Sequence, residues 1–138
     1  MPGPSPVALM CTKRIVIEDA FIDYNGHLNA GYYYVIFDKS LDEALLPIGL
    51  GPDYIKRRNL SIMTLEGHVC YLREVMQTDP MVVTVRMLDV DAKRMHTYSE
   101  LVHETEGWVA ATAEAMHIHV DMATRRSSPW PEDILANL

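Results

Sequence analysis

Between Leu60 and Val120 the chain is a near-continuous succession of β-branched and apolar residues, broken at three places. The breaks are Thr78-Asp79-Pro80, a tight turn near Asp91-Ala92, and Glu106-Gly107. Each carries residues that favour turns, so the run divides into strands over 60–72, 81–90, 93–104 and 108–120. Connections this short join antiparallel neighbours. On the last strand Ala111, Ala113 and Ala115 fall on one face. Small side chains there let a bulky element pack closely against the sheet.

That element is a helix. Tyr33, Ile36, Phe37, Leu41, Ala44 and Leu45 recur at three- and four-residue spacing, which predicts a helix over 30–46. Asn29 is placed to cap it, worth about 1 kcal/mol over alanine. Pro47 and Gly49 stop it. KRIVIE, 13–18, reads as a first strand, 51–59 as a connector with room for one helical turn, and a short helix follows Pro131. One strand, one long helix and four antiparallel strands make an α+β fold, a long sheet against a single helix. One helix covers such a sheet incompletely, and the leftover apolar surface predicts a homodimer or homotetramer.

The 138 residues suit one domain, expected over 13–138, with 1–12 as a loose N-terminal tail. The formal net charge of −7 argues against nucleic acid as partner, because phosphate binding needs clustered Lys and Arg. The apolar run VALMC is too short for a signal-peptide core, and nothing later approaches a membrane span. Cys11 and Cys70 form neither a disulfide framework nor a zinc pattern, and read as reduced thiols of a cytoplasmic protein.

The polar residues concentrate in FIDYNGHLNAGYYY, from Phe21 to Tyr34. Asp23 before Asn25-Gly26 is a natural turn former, and an acid there can also serve chemistry. His27 can brace the loop or act beside Asp23. Free N–H groups where the helix begins, at Asn29, Gly31 and Tyr32, sit at its positive end. On the strand from Leu60, alternation places Thr64, Glu66, His68 and Cys70 on one face, with Glu66 and His68 either an acid–base pair or a polar pair at an interface. His117 and His119 share a face. No third metal ligand accompanies them, and they read as surface or interface histidines.

Asp23-x-x-Gly26-His27-x-Asn29, followed by Tyr33 and Phe37 in the helix and Tyr71-Leu72-Arg73 on the next strand, resembles the hotdog-fold acyl-CoA thioesterases of the 4-hydroxybenzoyl-CoA thioesterase type. The resemblance runs from about Lys13 to Val120. The segments LEGHVCYLREV, LDVDAKRMH and ATAEAMHIHVD are similar to the betainyl-CoA thioesterases of carnitine breakdown. It implies a hotdog fold, in which the long antiparallel sheet wraps around the central helix, and hydrolysis of a short acyl-CoA, betainyl-CoA first. A hotdog hydratase or dehydratase, or a non-catalytic acyl-CoA-binding protein, is the alternative. Asn25-Gly26 stands where the hydratases carry Asn-Pro.

Under the resemblance Asp23 is general base or nucleophile, aided by Asn25, Gly26 and His27. The helix start at Asn29, Gly31 and Tyr32 stabilises the oxyanion. Tyr33, Tyr34, Glu66, His68 and Trp108 are the expected acyl-pocket residues, although Tyr33 also lies on the helix's apolar stripe. Aromatic faces suit a trimethylammonium group. Arg57, Arg58, Lys93 and Arg94 are the basic pairs available to CoA phosphates. No metal and no cofactor are expected, coenzyme A being part of the substrate.

Overall fold

The computed structural model describes residues 9–138. Strands β1 (Leu9–Ile15), β2 (Leu60–Tyr71), β3 (Met81–Val90), β4 (Arg94–His103), β5 (Val109–Asp121) and β6 (Arg126–Ser127) form one antiparallel sheet. Its order is β1-β3-β4-β5-β2, with β6 on β5. Helix α1 (Ala30–Leu45) lies against one face, α2 (Pro52–Arg58) packs near β2, and α3 (Glu132–Leu135) is tied to α2 by the Arg58–Asp133 pair.

The packing follows from two periodicities. On α1 the buried residues are Tyr33, Ile36, Phe37, Ser40, Leu41, Ala44 and Leu45, one stripe of a 3.6-residue helix. On the sheet, Met81, Val83 and Val85 of β3 and Met95, Thr97, Ser99 and Leu101 of β4 are buried in strict alternation. Ala111 and Ala113 leave room for the helix, as the small-residue face predicts. Truncating Phe37 to alanine at this contact costs about 3–5 kcal/mol.

The first strand differs from the sequence expectation. It runs over Leu9–Ile15, not 13–18. Thr12 pairs with Thr84 and Ile15 with Met81, so part of the expected tail belongs to the sheet; residues 1–8 lie outside the described residues. Val16 is exposed. Pairing with β3, rather than β-branched content, decides where the strand lies. The connector 51–59 contains the seven-residue α2.

Strand β2 is an edge. A bulge between Thr64 and Glu66 shifts its register against β5: Thr64 stands opposite His117, but Glu66 opposite Met116. The inserted residue reverses which face the following side chains occupy. Thr64 therefore does not share a face with Glu66, His68 and Cys70, contrary to uninterrupted alternation.

His117 and His119 are also not surface residues. They are almost completely buried on β5. Thr64 Oγ1 and Thr97 Oγ1 each lie 3.1 Å from a ring nitrogen of His117. His119 Nε2 is 2.7 Å from Tyr54 Oη, and its Nδ1 is 2.9 Å from the Ser128 carbonyl. Burial pushes both pKa values down, so the rings are held neutral. The cost of burying an imidazole is met by a partner at each nitrogen. Among the described residues no helix is long and apolar enough to cross a membrane.

Candidate active site

Asp23 builds its own loop. Its Oδ1 accepts the N–H of Asn25 at 2.9 Å and that of His27 at 3.4 Å, while its backbone N–H donates to the His27 carbonyl at 2.9 Å. Gly26 closes the turn at φ 79°, a left-handed conformation that glycine adopts without a Cβ penalty. The carboxylate does the turn-forming work that Asp-Asn-Gly suggests. Its second oxygen, Oδ2, has no partner among the described residues.

The loop is then clamped to the segment after β2. Leu28 N–H donates to the Val75 carbonyl at 2.8 Å, and His27 forms an isolated bridge with Met76. Leu28 and Val75 are both buried. This places His27 Nδ1 3.1 Å from Glu74 Oε2.

At the helix start the amides are unevenly engaged. Asn29 caps α1, accepting the Gly31 N–H on its side chain at 3.1 Å and the Tyr32 N–H on its carbonyl at 2.9 Å. The Asn29 N–H donates to the Phe21 carbonyl at 2.8 Å, so the amides expected to be free at Asn29, Gly31 and Tyr32 are all already bound. The Ala30 N–H is left without an acceptor among the described residues. It is the first-turn amide available to an oxyanion.

These pieces border an open cleft of about 420 Å³. Asp23, His27 and Ala30 form one side, and Tyr71, Arg73 and Glu74 the other, with Tyr33 at the base. Tyr71 Oη donates to the Ala30 carbonyl at 2.9 Å, tying the end of β2 to the start of α1. Its ring meets Tyr33 edge to face, centroids 5.1 Å apart. The Tyr33 hydroxyl donates to the Arg73 carbonyl at 3.4 Å, and burial pushes its pKa up. Sequence reasoning did not single out Ala30, Tyr71, Arg73 or Glu74 as site residues. The YLREV run carried the signal for three of them, since its polar residues follow directly on a long strand.

The other expected site residues lie elsewhere. Tyr32 stacks on Phe21 with centroids 4.5 Å apart. Tyr34 places its hydroxyl against Gly67 and borders a small hollow under the helix with Phe37, Thr97 and His117. Trp108 donates from Nε1 to Glu106, and the Arg73 guanidinium covers its ring at 4.1 Å, so that face is occupied. Glu66 and His68 border a separate hollow with His96 and Glu114, where His96 Nε2 is 2.6 Å from Glu114 Oε1. The bulge in β2 is what carries them away from the face that α1 covers. Among the described residues no group of three or more His, Cys, Asp or Glu could hold a metal.

The basic pairs also stand apart from Asp23. Arg57 and Arg58 precede β2, whereas the cleft lies at its end. A twelve-residue strand at about 3.3 Å per residue puts roughly 36 Å between those ends. Arg58 is paired with Asp133 at 2.7 Å. Arg94 is paired with Asp91, whose pKa is drawn down to about 2, chiefly by the Lys93 amide and then by the Arg94 side chain. Among the described residues the arginine or lysine that lines the cleft is Arg73.

A long antiparallel sheet around one central helix, with an acid-bearing loop feeding that helix, is the hotdog fold. The sequence matches the family model of the thioesterase-like superfamily over residues 17–138, and the chain belongs to that superfamily. It is 32% identical to a betainyl-CoA thioesterase of Pseudomonas aeruginosa, over 94% of this chain and 82% of that protein. It is 33% identical, over its whole length, to an L-carnitine dehydrogenase/betainyl-CoA thioesterase of Rhizobium meliloti, of which it spans 27%. A Staphylococcus aureus hypothetical protein, characterised in complex with CoA, superposes with a TM-score of 0.89 at 29% identity, over 99% of this chain and 85% of that one.

Proposed function

We propose that the chain hydrolyses a short acyl-CoA thioester, with betainyl-CoA as its preferred substrate. The observation that carries this reading is that Asp23, with its unpartnered Oδ2, His27, and Ala30, with its unpartnered N–H, all line one cleft. Water adds to the thioester carbonyl and its proton passes to Asp23 Oδ2. The oxygen, now negative, is met by the Ala30 N–H at the positive end of α1. The intermediate collapses with cleavage of the C–S bond, and CoA leaves as a thiolate that takes up a proton. Direct attack by Asp23, giving an acyl anhydride that water then opens, uses the same geometry.

The betainyl preference is supported by the relatives named above and by the chemistry of the cleft. The Tyr33 and Tyr71 rings suit a trimethylammonium group better than a neutral chain end.

The proposed site extends to an assembly through β2. The strand is an unpaired edge carrying exposed Met63, Leu65 and Tyr71. Antiparallel pairing of two copies along it sets the start of one β2 beside the end of the other. The partner subunit's Arg57 and the partner subunit's Arg58 then approach the Asp23 cleft, which gives these arginines a route to CoA phosphates that a single chain lacks.

The test is thiol release by the purified protein across an acyl-CoA panel, run beside an enoyl-CoA hydration assay. Fastest turnover with betainyl-CoA is expected. Hydration without thiol release overturns the thioesterase reading, and equal turnover of neutral acyl groups of similar size overturns the cationic preference.

A further inference from the structure

We propose that Glu74 is a positioning residue: it holds the His27 ring in the Nδ1–H tautomer and turns Nε2 toward the thioester. The inference rests on the thioesterase reading of the cleft. Its geometry is independent of that reading.

Three observations converge. First, His27 Nδ1 lies 3.1 Å from Glu74 Oε2. An ionised carboxylate facing Nδ1 repels a lone pair and attracts an N–H, so the proton of a neutral His27 ring belongs on Nδ1. Second, the pairing is built into the backbone. The Leu28 N–H to Val75 carbonyl bond and the His27–Met76 bridge align the two segments, and the buried side chains of Leu28 and Val75 hold them together. Glu74 is thereby aimed at His27 by its own neighbour in sequence. Third, both residues border the cleft that contains Asp23 and Ala30. His27 Nε2 has no protein partner among the described residues.

The functional consequence is an orientation. With the proton on Nδ1, Nε2 carries the lone pair, which can accept a hydrogen bond from the attacking water and orient it while its other proton passes to Asp23. The His27 N–H also donates to Asp23 Oδ1, so the residue that braces the acid is the one Glu74 braces in turn.

The Glu74 side chain is 64% exposed, so its removal leaves the Leu28–Val75 clamp in place. The test pairs a spectroscopic readout with kinetics on the full chain. Long-range 15N spectra of the neutral His27 ring should show the proton on Nδ1 in the wild type and on Nε2 in Glu74→Ala. Glu74→Ala should lower kcat about tenfold, short of the roughly 100- to 10,000-fold an acid–base group itself supplies. KM should move less than about twofold, the sign of an interaction made in the transition state. The loss should be equal for betainyl-CoA and for a neutral acyl-CoA. Glu74→Gln, whose amide oxygen can face the same N–H, should keep the wild-type tautomer and most of the rate. An unchanged tautomer in Glu74→Ala overturns the proposal. So does a defect confined to KM for the cationic substrate, which would make Glu74 a substrate contact. If the wild type cleaves no thioester, the thioesterase reading fails and the tautomer measurement alone decides the role of Glu74.

Discussion

Thr64 and Glu66 lie on opposite faces of the sheet, although two residues apart on one strand. Thr64 Oγ1 is 3.1 Å from buried His117, whereas Glu66 stands opposite Met116 and borders a hollow with His96 and Glu114. The bulge between them decides which polar residues of β2 meet α1 and which do not. It also sits in the middle of an unpaired edge, where exposed Leu65 is available to a second copy.

Assembly along this edge predicts a dimer or larger species in solution. Leu65→Lys puts a charge into the pairing strand and should shift the protein to monomer, read by light scattering after gel filtration. Thiol release should fall with it, because the proposed pairing is what brings the arginines before β2 to the partner's cleft. A monomeric wild type with full activity would contradict this assembly.

Asp23→Asn keeps an oxygen to accept the Asn25 N–H, so the loop should survive the change. The variant can neither take a proton from water nor attack as a carboxylate. Turnover should drop by about 100- to 10,000-fold with unfolding unaltered. Near-normal thiol release would remove Asp23 from the chemistry and leave it as a turn former.

Tyr54→Phe removes the hydroxyl 2.7 Å from His119 Nε2 in a fully buried setting. One buried ring nitrogen loses its partner, so urea unfolding should show a loss of about 1–3 kcal/mol. Thiol release per folded molecule should not change, because Tyr54 does not border the Asp23 cleft. A neutral effect on stability would mean that His119 finds another partner.

His117 and His119 predict a stability profile with pH. Burial holds their folded pKa values below the ordinary 6.5. The unfolded chain therefore takes up protons first as pH falls. Stability from these residues is fully present above about pH 6.5 and is lost from there downward, by at most about 1.4 kcal/mol per pH unit for each histidine. Urea midpoints measured from pH 8 downward should fall below pH 6.5, and a flat profile would show that the rings protonate in place.

Much of this protein is legible in its residues. The apolar spacing from Tyr33 to Leu45 defines α1, because a helix needs one continuous stripe to bury. The turn residues between 78 and 107 delimit β3, β4 and β5, because strands end where the backbone must reverse. Asp23-Tyr24-Asn25-Gly26-His27 is a turn by local chemistry, and the same chemistry leaves one carboxylate oxygen open. Three things were settled by contacts between residues distant in sequence. The start of β1 depends on its pairing with β3. The faces of Glu66 and His68 depend on a bulge that alternation cannot anticipate. The pairing of His27 with Glu74, 47 residues away, depends on a backbone bridge between two loops. Periodicity reports which way a side chain points relative to its own element. Which side chains meet across elements is set by the register in which those elements pack.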